Sequence, residues 1–171
     1  MNIRDLQIKL DKPYPEIVNA EDDALTVNIL KNLASSRTGE LAGVMQYIYQ
    51  SVIADKTNED IASVFEEIGV VEMMHLDMLM HAITAFGGLP KFEDANGNFF
   101  NTANLNYSDR LIDMLENNIR AETMAIDNYL VAIDNVNNES LKRLLERIIE
   151  DERRHLEIFN RIKSSVKFMR C

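Results

Sequence analysis

Two stretches decide how this chain folds: residues 67–79, EIGVVEMMHLDML, and residues 148–159, IIEDERRHLEIF. Each carries Glu-x-x-His, as Glu72 with His75 and Glu152 with His155, and residues three apart on an α-helix project from one face. The apolar stripe around the first motif is Phe65, Ile68, Leu79, Ala82 and Phe86, and that around the second is Leu141, Leu145, Ile148, Phe159 and Ile162. One such motif alone reads as a solvated helix pair. Two of the chain's three histidines stand in equivalent motifs on apolar stripes, and this makes them candidate inward ligands.

Each motif is preceded by a lone glutamate on another stripe, Glu40 before Glu72 and Glu122 before Glu152. The spacings are 72 − 40 = 32 and 152 − 122 = 30 residues, the mark of an internal repeat. Helix 1 is expected from about Asp22 to Ala54, with Leu33, Ser36, Glu40, Gly43, Tyr47, Ser51 and Ala54 on its inner side. Helix 2 runs from about Asn58 to Phe86 and stops at Gly87-Gly88-Leu89-Pro90. Helix 3 starts under a Ser108-Asp109 cap and reaches about Asp134, with Leu111, Leu115, Asn118, Glu122, Ala125, Tyr129 and Ala132 inward. Helix 4 follows the NVNNES turn, from about Glu139 to Val166.

Short turns join helices 1 and 2 and helices 3 and 4. Residues 89–107 carry Pro90, Gly97 and many Asn, and form a long connection. The fold class expected is therefore all-α, a four-helix bundle of two antiparallel hairpins joined by one crossover. Pro13 and Pro15 cannot continue a helix, so residues 1–20 are expected as an extended arm ahead of a bundle domain over 21–171.

Four carboxylates buried together without partners would be very costly. Two divalent ions remove the problem, because −4 + 4 = 0 and two neutral imidazoles complete the ligand set. Glu40, Glu72, His75, Glu122, Glu152 and His155 are thus the expected metal ligands, with Glu40 and Glu122 either bridging or flanking. Carboxylate-rich ligands with one imidazole per ion and no thiolate suit iron or manganese better than structural zinc. Paired redox ions can exchange two electrons with O2 or H2O2, which makes an oxygen species the expected substrate.

The remaining composition narrows the function by exclusion. With 18 Lys+Arg against 28 Asp+Glu and a net charge of −10, there is no basic stripe to follow a phosphate backbone, so no nucleic acid partner is expected. Cys171 is the only cysteine, which leaves no internal disulfide, CxxC pair or cysteine zinc site. No signal-peptide pattern or long apolar run is evident, and a soluble cytoplasmic protein without membrane association is expected. His81, six residues from His75, lies well around the helix and reads as a surface residue.

These residues resemble the ferritin-like superfamily over about residues 30–165, with all six ligand positions occupied. TGELAGVMQYIYQ (38–50) and EIGVVEMMHLDML look like helices of manganese catalases and of bacterioferritins. RAETMAIDNYLVAI (120–133) and IIEDERRHLEIF are similar to bacterioferritin and rubrerythrin helices. The resemblance implies a dinuclear oxidoreductase acting on H2O2 or O2, of peroxidase, catalase or ferroxidase type. Two Fe ions are implied, or alternatively two Mn ions, with Glu152 favouring iron. The alternative is a bacterioferritin-like iron-binding and storage protein.

Tyr47, seven residues after Glu40, matches a tyrosine beside the metal site in bacterioferritins and is the candidate catalytic residue. Met73 matches their haem-ligating methionine, but within EMMHLDMLM it reads as packing, so no haem is expected. The absence of paired CxxC motifs removes the electron relay of rubrerythrins. The short stretch after helix 4 argues against a 24-subunit cage, and a smaller homo-oligomer is expected.

Overall fold

A computed structural model describes residues 6–168 of the chain, and the side chains of residues 6–166. Five α-helices follow in order: α1 (Ala24–Ser35), α2 (Glu40–Asp55), α3 (Glu59–Ala85), α4 (Leu111–Asn135) and α5 (Glu139–Phe168). The short η turn Thr102–Asn104 lies in the connection between α3 and α4. Helices α2 and α3 pair as one antiparallel hairpin and α4 and α5 as the other, with α1 extending the first hairpin against α3.

The expected single helix over 22–54 is in fact broken. Asp23 caps α1, accepting from the amides of Leu25 and Thr26. The helix then ends at Ser35, and Ser36 is extended. Gly39 stands at the N-cap of α2, and a Cβ there would lie 2.9 Å from the Ala34 carbonyl carbon and collide with the Leu33 carbonyl oxygen. The turn folds so tightly back on α1 that only glycine fits, and Glu40 is placed in the first turn of the new helix.

Asn58 caps α3 through its side chain. At the far end Gly87 (φ +80) and Gly88 return their amides to Thr84 and Ile83, as the Gly-Gly-Leu-Pro signal predicted. The expected Ser108-Asp109 cap is displaced: α4 starts at Leu111 behind Arg110, and Ser108 Oγ accepts from the Arg110 amide ahead of the helix. The crossover is pinned to α2 by Gln46, whose side chain exchanges two 2.8 Å hydrogen bonds with the Asn106 backbone. It is tied to α1 by the Lys31–Glu93 ion pair at 2.6 Å.

The core is divided in two. One cluster gathers Leu30, Leu33, Val44, Leu79, Tyr129, Leu141, Leu145 and Ile148, and the other gathers Tyr47, Phe65, Ile68, Leu115, Phe159 and Ile162. The buried glutamates and histidines of the four long helices lie between them. By length and mean hydropathy (1.2) α3 could cross a membrane, although Glu72, His75 and Asp77 interrupt it and it holds no unbroken apolar run of that length. Half of its most apolar 18-residue stretch is buried in the bundle. Met73 was expected to pack but is exposed, beside Val70 and Met74, and His81 is also exposed.

Candidate metal centre

The six predicted ligands come together between the two apolar clusters, and each is at most 5 % exposed. They form two groups, Glu40, Glu72, His75 and Glu152, and Glu72, Glu122, Glu152 and His155. Within each group one potential ligand atom per residue lies within 4.8 Å of every other. Glu72 and Glu152 belong to both groups, while Glu40 and Glu122 belong to one each. His75 Nδ1 lies 2.9 Å from Glu152 Oε1 and 3.6 Å from both Glu72 Oε2 and Glu40 Oε2. His155 Nδ1 lies 3.0 Å from Glu72 Oε1, 3.6 Å from Glu152 Oε2 and 3.9 Å from Glu122 Oε2. Each shared carboxylate thus turns one oxygen toward each imidazole.

These close approaches lack hydrogen-bond geometry. Glu40 Oε2, Glu72 Oε1, both Glu152 oxygens and Nδ1 of both histidines have no hydrogen-bond partner among the described residues. Buried polar atoms are rarely left so, and here their lone pairs converge on common points. Oxygen and imidazole donors around two adjacent points are what a pair of divalent cations requires, so the residues present fit a dinuclear centre.

The electrostatics of the protein without ions carry the same message. Burial pushes Glu40 and Glu122 well above the usual carboxylate range, and the charges of Glu72 and Glu152 add to it. Burial acts the same way on Glu152, but the contacts with His155 and His75 outweigh it and hold Glu152 well below. For Glu72, burial and the Glu152 charge are outweighed by contacts with Glu40, His155 and His75, and it is lowered too. Burial disfavours charge on the imidazoles, yet the surrounding carboxylates lift His155 to about 9 and His75 well above its ordinary value. Protons therefore do the neutralising work that two cations would otherwise do.

Tyr47, the candidate catalytic residue, is buried and donates its hydroxyl to Glu122 across the bundle. Tyr129 mirrors it and donates to Glu40. Tyr129 stands seven residues after Glu122 as Tyr47 stands seven after Glu40, a match in the repeat that the sequence reading, which singled out only Tyr47, missed. Also missed was fully buried Asp151, whose Oδ2 lies 3.4 Å from His75 Nε2 and accepts from Tyr14 Oη at 2.6 Å. No periodic signal marks Asp151, because it stands beside Glu152 in the run of charged residues 150–154.

A cavity of about 490 Å³ opens between α2 and α4 and reaches the centre. Glu40, Glu72, Glu122 and Glu152 form its floor with Tyr47 and Tyr129, and Arg37 and Arg120 stand among the exposed residues lining it.

The family model described as Rubrerythrin matches residues 31–163. The chain belongs to the rubrerythrin family. This rubrerythrin-family chain shares its ferritin-like fold with a manganese catalase from Anabaena (TM-score 0.84, 24 % identity, covering 92 % of this chain and 80 % of that one). Two bacterioferritins also match. That of Desulfovibrio desulfuricans, solved for its diiron site, has TM-score 0.72 at 23 % identity, over 83 % of this chain and 80 % of that one. That of Rhodobacter capsulatus, with a metal-free dinuclear site and haem iron, has TM-score 0.74 at 22 % identity, over 86 % and 88 %. No curated protein matches the chain.

Proposed function

We propose that this chain is a dinuclear metal oxidoreductase acting on hydrogen peroxide or O2, with two Fe ions as the first choice and two Mn ions as the alternative. The observation that carries the reading is the double sharing of Glu72 and Glu152 at the floor of a cavity open to small solutes. Glu40 and His75 would complete one ion's ligands, and Glu122 and His155 the other's.

Two redox ions held side by side would supply a two-electron exchange with an oxygen species. The chain's own residues do the rest. The cavity admits a small substrate between α2 and α4 while the two apolar clusters keep bulk water from the other sides of the centre. Tyr47 and Tyr129 tie the flanking carboxylates across the bundle, and their hydroxyls are the O–H donors at the cavity floor. Burial, followed by the adjacent glutamate, pushes both phenols well above their ordinary value, so each keeps its proton.

The test is anaerobic reconstitution with Fe2+ or Mn2+, metal analysis, and peroxide and O2 consumption assays. Two ions per chain with peroxide or O2 turnover well above that of the free ions is the expected result. Binding without turnover would reduce the centre to a structural role. A large hollow particle that accumulates iron beyond two ions per chain would favour the storage alternative.

A further inference from the structure

The two halves of the centre repeat each other on the side facing the carboxylates, but not on the side facing away. His75 turns Nε2 toward Asp151 Oδ2 at 3.4 Å, with Tyr14 Oη at 3.5 Å. Asp151 is held on all sides. Its Oδ1 accepts from the Leu10 amide at 2.8 Å, its Oδ2 accepts from Tyr14, and Arg147 Nη1 lies 2.8 Å from Oδ2. Arg147 in turn donates through Nη2 to the Leu10 carbonyl at 2.9 Å and lies 4.5 Å from the centre of the Tyr14 ring. Residues 10–14 of the N-terminal arm, α5 and the imidazole on α3 are thereby locked together.

His155 has no such support. Its Nε2 finds no hydrogen-bond partner among the described residues. The repeat explains why: the residue one before Glu72, equivalent to Asp151, is Val71, and the equivalent of Arg147 is the exposed Glu67.

We propose that the N-terminal arm, acting through Tyr14 and Asp151, makes the two metal positions inequivalent, so that the position at His75 retains its ion and the position at His155 is the one that exchanges. The inference rests on the dinuclear reading above. An imidazole that ligates through Nδ1 must carry its proton on Nε2, and an acceptor fixed against Nε2 selects that tautomer, orients the ring and strengthens the ligand. Partners of this kind are worth roughly 10- to 100-fold in metal affinity, the difference expected between the two positions. Tyr14 is a positioning residue, since it touches Asp151 and not the ions.

The experiment strips the full-length protein with chelator and titrates it with Mn2+ by calorimetry. Wild type should show two classes of site. Tyr14→Phe should weaken the tight class by on the order of fivefold, because Asp151 keeps Arg147 and the Leu10 amide, and should leave the weak class unchanged. In a His155→Ala background, where only the His75 position is complete, Tyr14→Phe should still weaken binding. In a His75→Ala background it should have no effect, a selectivity that general loosening of the fold would not produce. Should a histidine variant fail to fold, the change in the two classes on Tyr14→Phe alone decides. Two equal sites in wild type, or equal weakening of both by Tyr14→Phe, would overturn the inference while leaving the dinuclear reading intact. No Mn2+ binding by wild type would overturn both.

Discussion

Glu122→Gln and Glu72→Gln remove the same charge and nearly the same volume from the same buried layer, yet the geometry separates their effects. Glu122 belongs to one ligand group, and Glu72 to both, with Oε1 3.0 Å from His155 Nδ1 and Oε2 3.6 Å from His75 Nδ1. Removing one partner from a buried charged cluster costs about 3–5 kcal/mol. At 1.4 kcal/mol per factor of ten, the Kd of an affected position rises by roughly 100- to several-thousand-fold. Glu122→Gln should therefore lose only the ion at His155 and bind about one per chain, whereas Glu72→Gln should weaken both positions and bind close to none under the same conditions. Metal analysis after equilibrium dialysis reads the count directly.

Thermal melts supply an independent measure. An ion present at 100 times its Kd stabilises by about 2.7 kcal/mol. A domain of this size gains about 2–4 °C per kcal/mol. Two ions should then raise the melting temperature by on the order of 10–20 °C, with about half of that surviving in Glu122→Gln and almost none in Glu72→Gln. If Glu72→Gln keeps one ion at wild-type affinity, or Glu122→Gln loses both, the assignment of shared and flanking carboxylates is wrong.

His155 is raised from 6.5 to about 9 in the ion-free protein, so the folded state binds its proton more tightly than the unfolded state. That contributes on the order of 3 kcal/mol, fully present below pH 6.5 and lost as pH rises through 9, and the raised Glu40 and Glu122 act in the same direction above their unfolded values. Because ions must displace these protons, the melting-temperature gap between loaded and ion-free protein should widen from pH 6 to pH 9, and a constant gap would contradict the charge assignment. Gly39→Ala should destabilise by about 1–3 kcal/mol and weaken the ion at His75, since its Cβ meets backbone at Ala34 and Leu33 beside Glu40; calorimetric Mn2+ titration and urea unfolding check it. Asn118→Leu should cost about 1–3 kcal/mol by orphaning the buried Gln50 amide, which now exchanges 2.8 and 2.6 Å bonds with Asn118, and adding Gln50→Leu should recover much of that in urea unfolding.

What the sequence made legible was whatever repeats with helical period. The two Glu-x-x-His motifs and their preceding glutamates announce themselves by spacing, and they meet where the stripes predicted. The break between α1 and α2 was hidden because Leu33, Ser36, Glu40 and Gly43 continue one stripe straight through it, with no proline to interrupt. Its cause is tertiary, the close return of Gly39 onto the Leu33–Ala34 backbone. The displaced cap of α4 is similar in kind, since the Ser108 side chain bonds the Arg110 amide before the helix starts. Asp151 could not be read as buried, because what offsets its desolvation includes Tyr14, 137 residues away.

The departures from the repeat fall on one side of the centre, and this gives them a common consequence. Glu40 lies in the first turn of α2, where the helix dipole favours a carboxylate, whereas Glu122 lies in the middle of α4 without that help. The imidazole grouped with Glu40 is His75, the one held by Asp151, Tyr14 and the arm; the imidazole grouped with Glu122 is the unsupported His155. Both features favour charged, pre-oriented ligands at the same position. Had the helix break fallen before Glu122, or the aspartate before Glu72, the two effects would have opposed each other and left the positions nearly alike. Their coincidence at His75 is why a centre built from two matching halves is expected to fill and empty one ion at a time.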